Sequence, residues 1–194
     1  GPDSTGPTFL YEFRRYASTR GFAILSPSSL GYTWGAPPAK FALPAPGATS
    51  ADADTENVLS LVREISALWP VDETKILLAG YCDGANFALS LYLNDDLFHP
   101  FTAAALLSPS DMPPFTQPDR LRRVYLLHGS RDAVFPVQRL RQGLELVEGR
   151  YVALALDVRI VEGLSHSFPS HDETVRMLSW WDPSFALPGE AQGS

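Results

Sequence analysis

Five short apolar runs limit what this chain can fold into: FAILS (22–26), KILLA (75–79), TAAALLS (102–108), RVYLLH (123–128) and LALDVRI (154–160). None shows a clean alternation of apolar and polar residues, which suits strands covered on both faces. Helical spacing separates them. Val58, Leu61, Val62, Ile65 and Leu68 share one face, and Pro70 ends that segment. Val137, Leu140, Leu144 and Val147 repeat the pattern between Pro136 and Gly149. Phe9, Leu10, Phe13, Tyr16 and Ala17 form a shorter stripe before Gly21, and FALSLYL another after GYCDGAN. Strands alternating with helices predict an α/β fold, a mostly parallel sheet with helices on both faces.

A length of 194 residues fits one domain spanning 1–194 and can bury a substantial core. Residues 35–53 carry four prolines and no period, which predicts a long surface excursion bordering a site. The end of the chain, 182–194, is expected to fray. A net charge of −7 without a Lys/Arg cluster argues against nucleic acid or anionic lipid as partner. No apolar run is long enough for a membrane span, and nothing resembles a secretory signal, so a cytoplasmic location is the default expectation. The single cysteine excludes an internal disulfide. Gly1-Pro2 reads as a protease-cleavage scar, which leaves the natural chain before Asp3 unseen.

That cysteine, Cys82, lies between Gly80 and Gly84, where a predicted strand turns into a predicted helix. Open α/β sheets bind ligands at the carboxyl ends of their strands, and Cys82 is placed there. Two glycines suit a sharp turn in which bulk would strike neighbouring backbone. A helix N-terminus lowers a thiol's pKa, so a reactive thiolate is expected. Alone the pattern is weak, since a lone cysteine commonly fills a core. Two further placements strengthen it. HGSRDAVFPV puts Asp132 on the loop leaving one strand, and VEGLSHSFPS puts His166 on the loop leaving the next. A thiol needs a base and the base needs an orienting carboxylate, and all three positions fall on one rim. The backbone N–H of Asp83 is the expected oxyanion donor.

With these residues in view, the chain resembles the α/β-hydrolase superfamily, in the branch of dienelactone hydrolases, carboxylesterases and polyhydroxybutyrate depolymerases. Gly80-Tyr81-Cys82 is similar to the dienelactone-hydrolase elbow, and Ser165-His166-Ser167-Phe168 to its histidine loop. VDETKILLAGYCDGANFALSL is similar to the segment around the serine elbow of depolymerases and esterases. The likeness runs from about residue 7 to about 181. It implies an α/β-hydrolase fold and a small-molecule ester, lactone or thioester substrate. The esterases carry serine where Cys82 stands, which leaves open that Cys82 replaces a serine. It also implies that FAILS is the family's fourth strand. A third strand, with a loop supplying another oxyanion N–H, would precede Phe9, where only the eight residues GPDSTGPT stand. The fold is therefore expected to lack its N-terminal strands. A second polypeptide, a second copy, or direct pairing of FAILS with KILLA would satisfy the exposed backbone, and the first is the expectation.

Other residues are read more plainly. Trp34, Tyr81, Phe135 and Phe168 are candidates to line a substrate pocket, though buried aromatics are usually core. His128 reads as a structural part of the acid loop, His99 and His171 as surface residues, and Asp111 as an alternative to Asp132. No cluster has metal-ligand spacing, and no cofactor is expected. The reading is a hydrolase in which Cys82 attacks, His166 carries the proton and Asp132 orients it. An acyl-transferase or thioesterase, and a hydrolase-fold binding protein without turnover, are the alternatives.

Overall fold

The computed structural model describes residues 6–31, 33–34, 51–110, 112, 118–147 and 153–185. The chain divides into two compact units, Gly1–Asp72 and Glu73–Ser194.

In the first unit, helix α1 (Gly6–Arg20) buries Phe13 and Tyr16, while Leu10 faces outward. Gly21 closes the helix at φ +74°, its N–H bonded to the Ala17 carbonyl, a left-handed cap that glycine adopts without strain. The expected strand FAILS is not formed: residues 22–29 have no regular secondary structure and pair with no strand. An apolar run specifies burial, and only a neighbouring strand makes it a β-strand; among the described residues FAILS has none. Helix α2 (Ala51–Leu68) starts inside the expected 35–53 excursion, whose residues 35–50 lie outside the described set. Asp54, fully buried on α2, accepts the Leu30 N–H at 2.8 Å and ties the extended segment to the helix.

The second unit is a four-stranded parallel sheet in the order β1-β2-β3-β4. The strands are β1 (Leu77–Tyr81), β2 (Ala103–Leu107), β3 (Arg122–Gly129) and β4 (Leu154–Val161). The two central strands are the most buried, and β2 is buried at every residue. β4 exposes Ala155, Asp157 and Val158, charge and partial exposure typical of an edge. β1 begins two residues later than KILLA: Lys75 stays outside it, paired with Asp182 at 2.7 Å.

Helices α3 (Asp83–Tyr92), α4 (Val137–Val147) and α5 (His171–Trp181) connect and follow the strands, with α3 packed on β1 and β2. Ser170 caps α5 by accepting the Glu173 N–H. The Tyr92 phenol donates to the Thr102 carbonyl and accepts the Arg123 N–H, joining α3 to the starts of β2 and β3. His99 corrects an expectation. It is buried, its Nε2 3.0 Å from both the Arg122 guanidinium and the Tyr92 carbonyl, because the buried Arg122 reaches across to Asp95 and needs neighbours there. His171 is exposed as expected. Phe185 is buried in a short 3₁₀ turn, so the expected fraying at 182–194 does not begin at Asp182; residues 186–194 lie outside the described set.

Candidate active site

Cys82 is the hinge of the β1–α3 turn. Its φ of 59° and ψ of −124° are a strained combination for a residue with a side chain, worth about 1–3 kcal/mol. The surroundings enforce it: the Cys82 N–H donates to the Leu107 carbonyl of β2 at 2.9 Å, and its carbonyl accepts the Ala85 N–H at 3.0 Å. A Cβ on Gly80 would sit 2.1 Å from the Gly84 carbonyl oxygen, so strand and helix meet only because Gly80 is bare.

The expected lowering of the thiol's pKa is not found. Burial pushes the Cys82 thiol up, and a hydrogen bond from the Asp83 N–H to the sulfur lowers it by less. The helix N-terminus is present, but Cys82 is only 5 % exposed, and desolvation of the thiolate wins. Attack by Cys82 would therefore call for a base to take the thiol proton. Asp83, whose N–H is the expected oxyanion donor, is the first residue of α3 and directly follows Cys82.

Asp132 and His166 come together from the loops after β3 and β4. His166 Nδ1 lies 2.7 Å from Asp132 Oδ2. The other carboxylate oxygen, Oδ1, accepts the N–H groups of Val134 and Phe135 at 2.9 and 2.8 Å. The buried carboxylate thus has three donors, which compensates for its desolvation. With Nδ1 donating to Asp132, Nε2 is the nitrogen free to act as a base. It is buried and has no hydrogen-bond partner among the described residues. The close approach of the histidine loop to β3 depends on Gly129, where a Cβ would lie 2.2 Å from the Leu164 carbonyl oxygen.

Two of the four expected pocket aromatics, Tyr81 and Phe135, meet the imidazole, and a third, Phe168, stacks on Tyr81. Tyr81 lies 5.2 Å from His166 and stacks on Phe168 at 4.3 Å, and Phe135 meets His166 edge-on at 5.2 Å. Burial, then the nearby Cys82 and Asp132, pushes the Tyr81 phenol up to about 12. Trp34 belongs to the first unit, and Asp111 lies outside the described residues.

Two features of the site escape sequence reasoning. Asn86 on α3 and Ser110 after β2 make a reciprocal pair, Asn86 Nδ2 to Ser110 Oγ at 2.9 Å and Ser110 N–H to Asn86 Oδ1 at 3.1 Å. No spacing signals a brace between residues 24 apart. The backbone donors to Asp132 are equally silent, although Asp followed by Phe-Pro is a turn signal that could have suggested them. Among the described residues no group of His, Cys, Asp and Glu could hold a metal ion, and no helix is long and apolar enough to cross a membrane.

Comparison with solved structures agrees with this architecture. SOBER1 of Arabidopsis thaliana is similar at TM-score 0.70 and 17% identity, over 96% of this chain and 96% of that one. A carboxylesterase from Mesorhizobium loti gives 0.66 and 21%, over 94% and 86%. A phospholipase/carboxylesterase from Dyadobacter fermentans gives 0.63 and 18%, over 92% and 84%. A single-substitution variant of SOBER1 aligns over a shorter stretch, 71% of this chain and 65% of its own length, at TM-score 0.55. No protein-family model matches the chain, and no curated protein does. The fold is that of the α/β-hydrolases, with four parallel strands among the described residues.

Proposed function

We propose that the chain is a carboxylic ester hydrolase that works through Cys82, His166 and Asp132. One observation carries this reading: a strained Cys82 elbow at the end of β1, with Tyr81 beside a His166 whose Nδ1 is held by Asp132. The similarity to structures of carboxylesterases supports ester chemistry.

In the proposed cycle the Cys82 thiol gives its proton to His166 Nε2 as the sulfur attacks the acyl carbonyl. The Asp83 N–H stabilises the tetrahedral oxyanion. His166 then passes that proton to the departing alkoxide or thiolate, leaving a thioester on Cys82. Water attacks the thioester while His166 takes one of its protons. Collapse releases the carboxylic acid, and His166 returns the proton to the sulfur. Asp132 keeps the proton on Nδ1 and stabilises the imidazolium. Proton transfer of this kind contributes about 10²–10⁴-fold, and each oxyanion donor about 10²–10³-fold. The elevated thiol pKa fits a cycle in which the thiol gives up its proton as it attacks.

The partners are small-molecule esters, lactones or thioesters, at a cytoplasmic location, with Tyr81, Phe135 and Phe168 as the candidates for pocket walls. The second oxyanion donor is proposed to arrive with a further strand. Ile76 and Cys82 direct backbone groups toward β2, so by alternation Leu77, Ala79 and Tyr81 direct theirs to the other side, where no described strand pairs. We assign that side to a strand from a second polypeptide.

The test is a panel of p-nitrophenyl esters, lactones and thioesters, with and without an added thiol or amine acceptor, assayed on wild type, Cys82→Ala and His166→Gln. Hydrolysis abolished in both variants supports the reading. Product appearing chiefly on the acceptor would make the protein an acyl-transferase. The burial of Cys82 favours a second reading, a hydrolase-fold binding protein without turnover, and binding without release of product throughout the panel would establish it.

A further inference from the structure

His128 is the penultimate residue of β3, and its imidazole is completely buried. Its Nε2 lies 2.8 Å from the Phe135 carbonyl oxygen. A carbonyl only accepts, so Nε2 carries the proton and donates it. Phe135 is thereby held at three places. Its carbonyl takes the His128 proton, its N–H donates to Asp132 Oδ1 at 2.8 Å, and its ring stands edge-on to His166 at 5.2 Å. His128 Nε2 is also 3.7 Å from Asp132 Oδ2, the oxygen that receives His166 Nδ1. That distance is too long for a hydrogen bond, but it places a positive N–H end beside the carboxylate.

His128 is thus bonded to a residue that touches both the acid and the base. We propose that His128 is a positioning residue. Through the Phe135 carbonyl it locks the turn 132–135, which aims Asp132 Oδ2 at His166 and sets the Phe135 ring as a stop against rotation of the imidazole. The proposal rests on the reading of Asp132 and His166 as acid and base. It adds a residue that contacts no reacting atom.

The test uses His128→Leu, His128→Asn and His128→Gln. Glutamine can place an N–H near the position of Nε2 and restore the bond. Asparagine keeps a polar group but is too short, and leucine has no donor. The readout is the downfield proton resonance of the His166 Nδ1–H···Asp132 bond, assigned by its loss in His166→Gln, together with kcat and KM. Wild type is expected to show the resonance. The leucine and asparagine variants should shift or broaden it and lower kcat by about tenfold or more at nearly constant KM, and glutamine should recover both. If the leucine variant does not fold, the asparagine–glutamine contrast decides the matter by the same criteria. An unchanged resonance in folded His128→Asn, or no recovery in folded His128→Gln, overturns the proposal alone. A folded wild type with no such resonance removes the Asp132–His166 pair itself, and the proposal with it.

Discussion

Asp132 Oδ2 accepts from His166 Nδ1 at 2.7 Å while Oδ1 is occupied by two backbone N–H groups, so the carboxylate cannot turn away from the imidazole. Replacing that carboxylate by an amide keeps its shape and removes its charge. Asp132→Asn is predicted to lower kcat by about 10³–10⁴-fold, because an amide nitrogen facing Nδ1 selects the wrong tautomer. Asp111→Asn should change it little. Steady-state assays of both variants check the ranking, and the reverse order would reassign the acid.

Burial holds the Cys82 thiol above its ordinary pKa despite the Asp83 N–H at the sulfur. The rate of iodoacetamide alkylation in the folded protein is therefore predicted to rise with a midpoint above the roughly 8.5 of a free thiol. In urea the midpoint should return to that value. A folded-state midpoint below it would mean that the helix N-terminus and the Asp83 N–H outweigh desolvation.

The strand-end placement of the candidate site residues was legible in the sequence, and the failures share a cause. Cys82, Asp132 and His166 were readable because each follows an apolar run whose strand identity is local, and because Gly80 marks the elbow. The rise in the thiol's pKa was not readable, since burial depends on what packs around Cys82 and not on its neighbours in the chain. FAILS was misread as a strand for a similar reason: the residues favour burial, but pairing requires a partner strand that local sequence does not reveal. His99 was misread as exposed because its partner, Arg122, is 23 residues away and is held among Asp95, Tyr92 and His99.

His99 also yields a pH dependence of stability. Burial, with the charge of Arg122 adding, pushes it down from 6.5 to about 4. Between those values the unfolded chain binds a proton that the folded chain refuses, so stability increases as pH rises through this window and is lost as pH falls through it. The shift corresponds to about 3 kcal/mol. Urea denaturation at pH 4.5 and 7 should show a larger loss for wild type than for His99→Gln. Equal losses would place the acid sensitivity in the paired carboxylates instead.

The side of β1 on which no described strand pairs, assigned above to a second polypeptide, predicts an active species that contains more than this one chain. Native mass spectrometry of fractions that turn over ester should find a second polypeptide with the 21.2 kDa chain. Full activity in a 21.2 kDa monomer would contradict it, and the second oxyanion donor would then have to come from within residues 1–194.

The central claim is that Cys82 carries the acyl group. Protein mixed with an activated ester, quenched in acid and examined by intact-mass and peptide mass spectrometry tests it directly. The account predicts one acyl group per chain on the peptide containing Cys82, appearing within the first turnover, decaying as acid is released, and absent from Cys82→Ala. Turnover without an acyl group on Cys82, or undiminished turnover in Cys82→Ala, would contradict it.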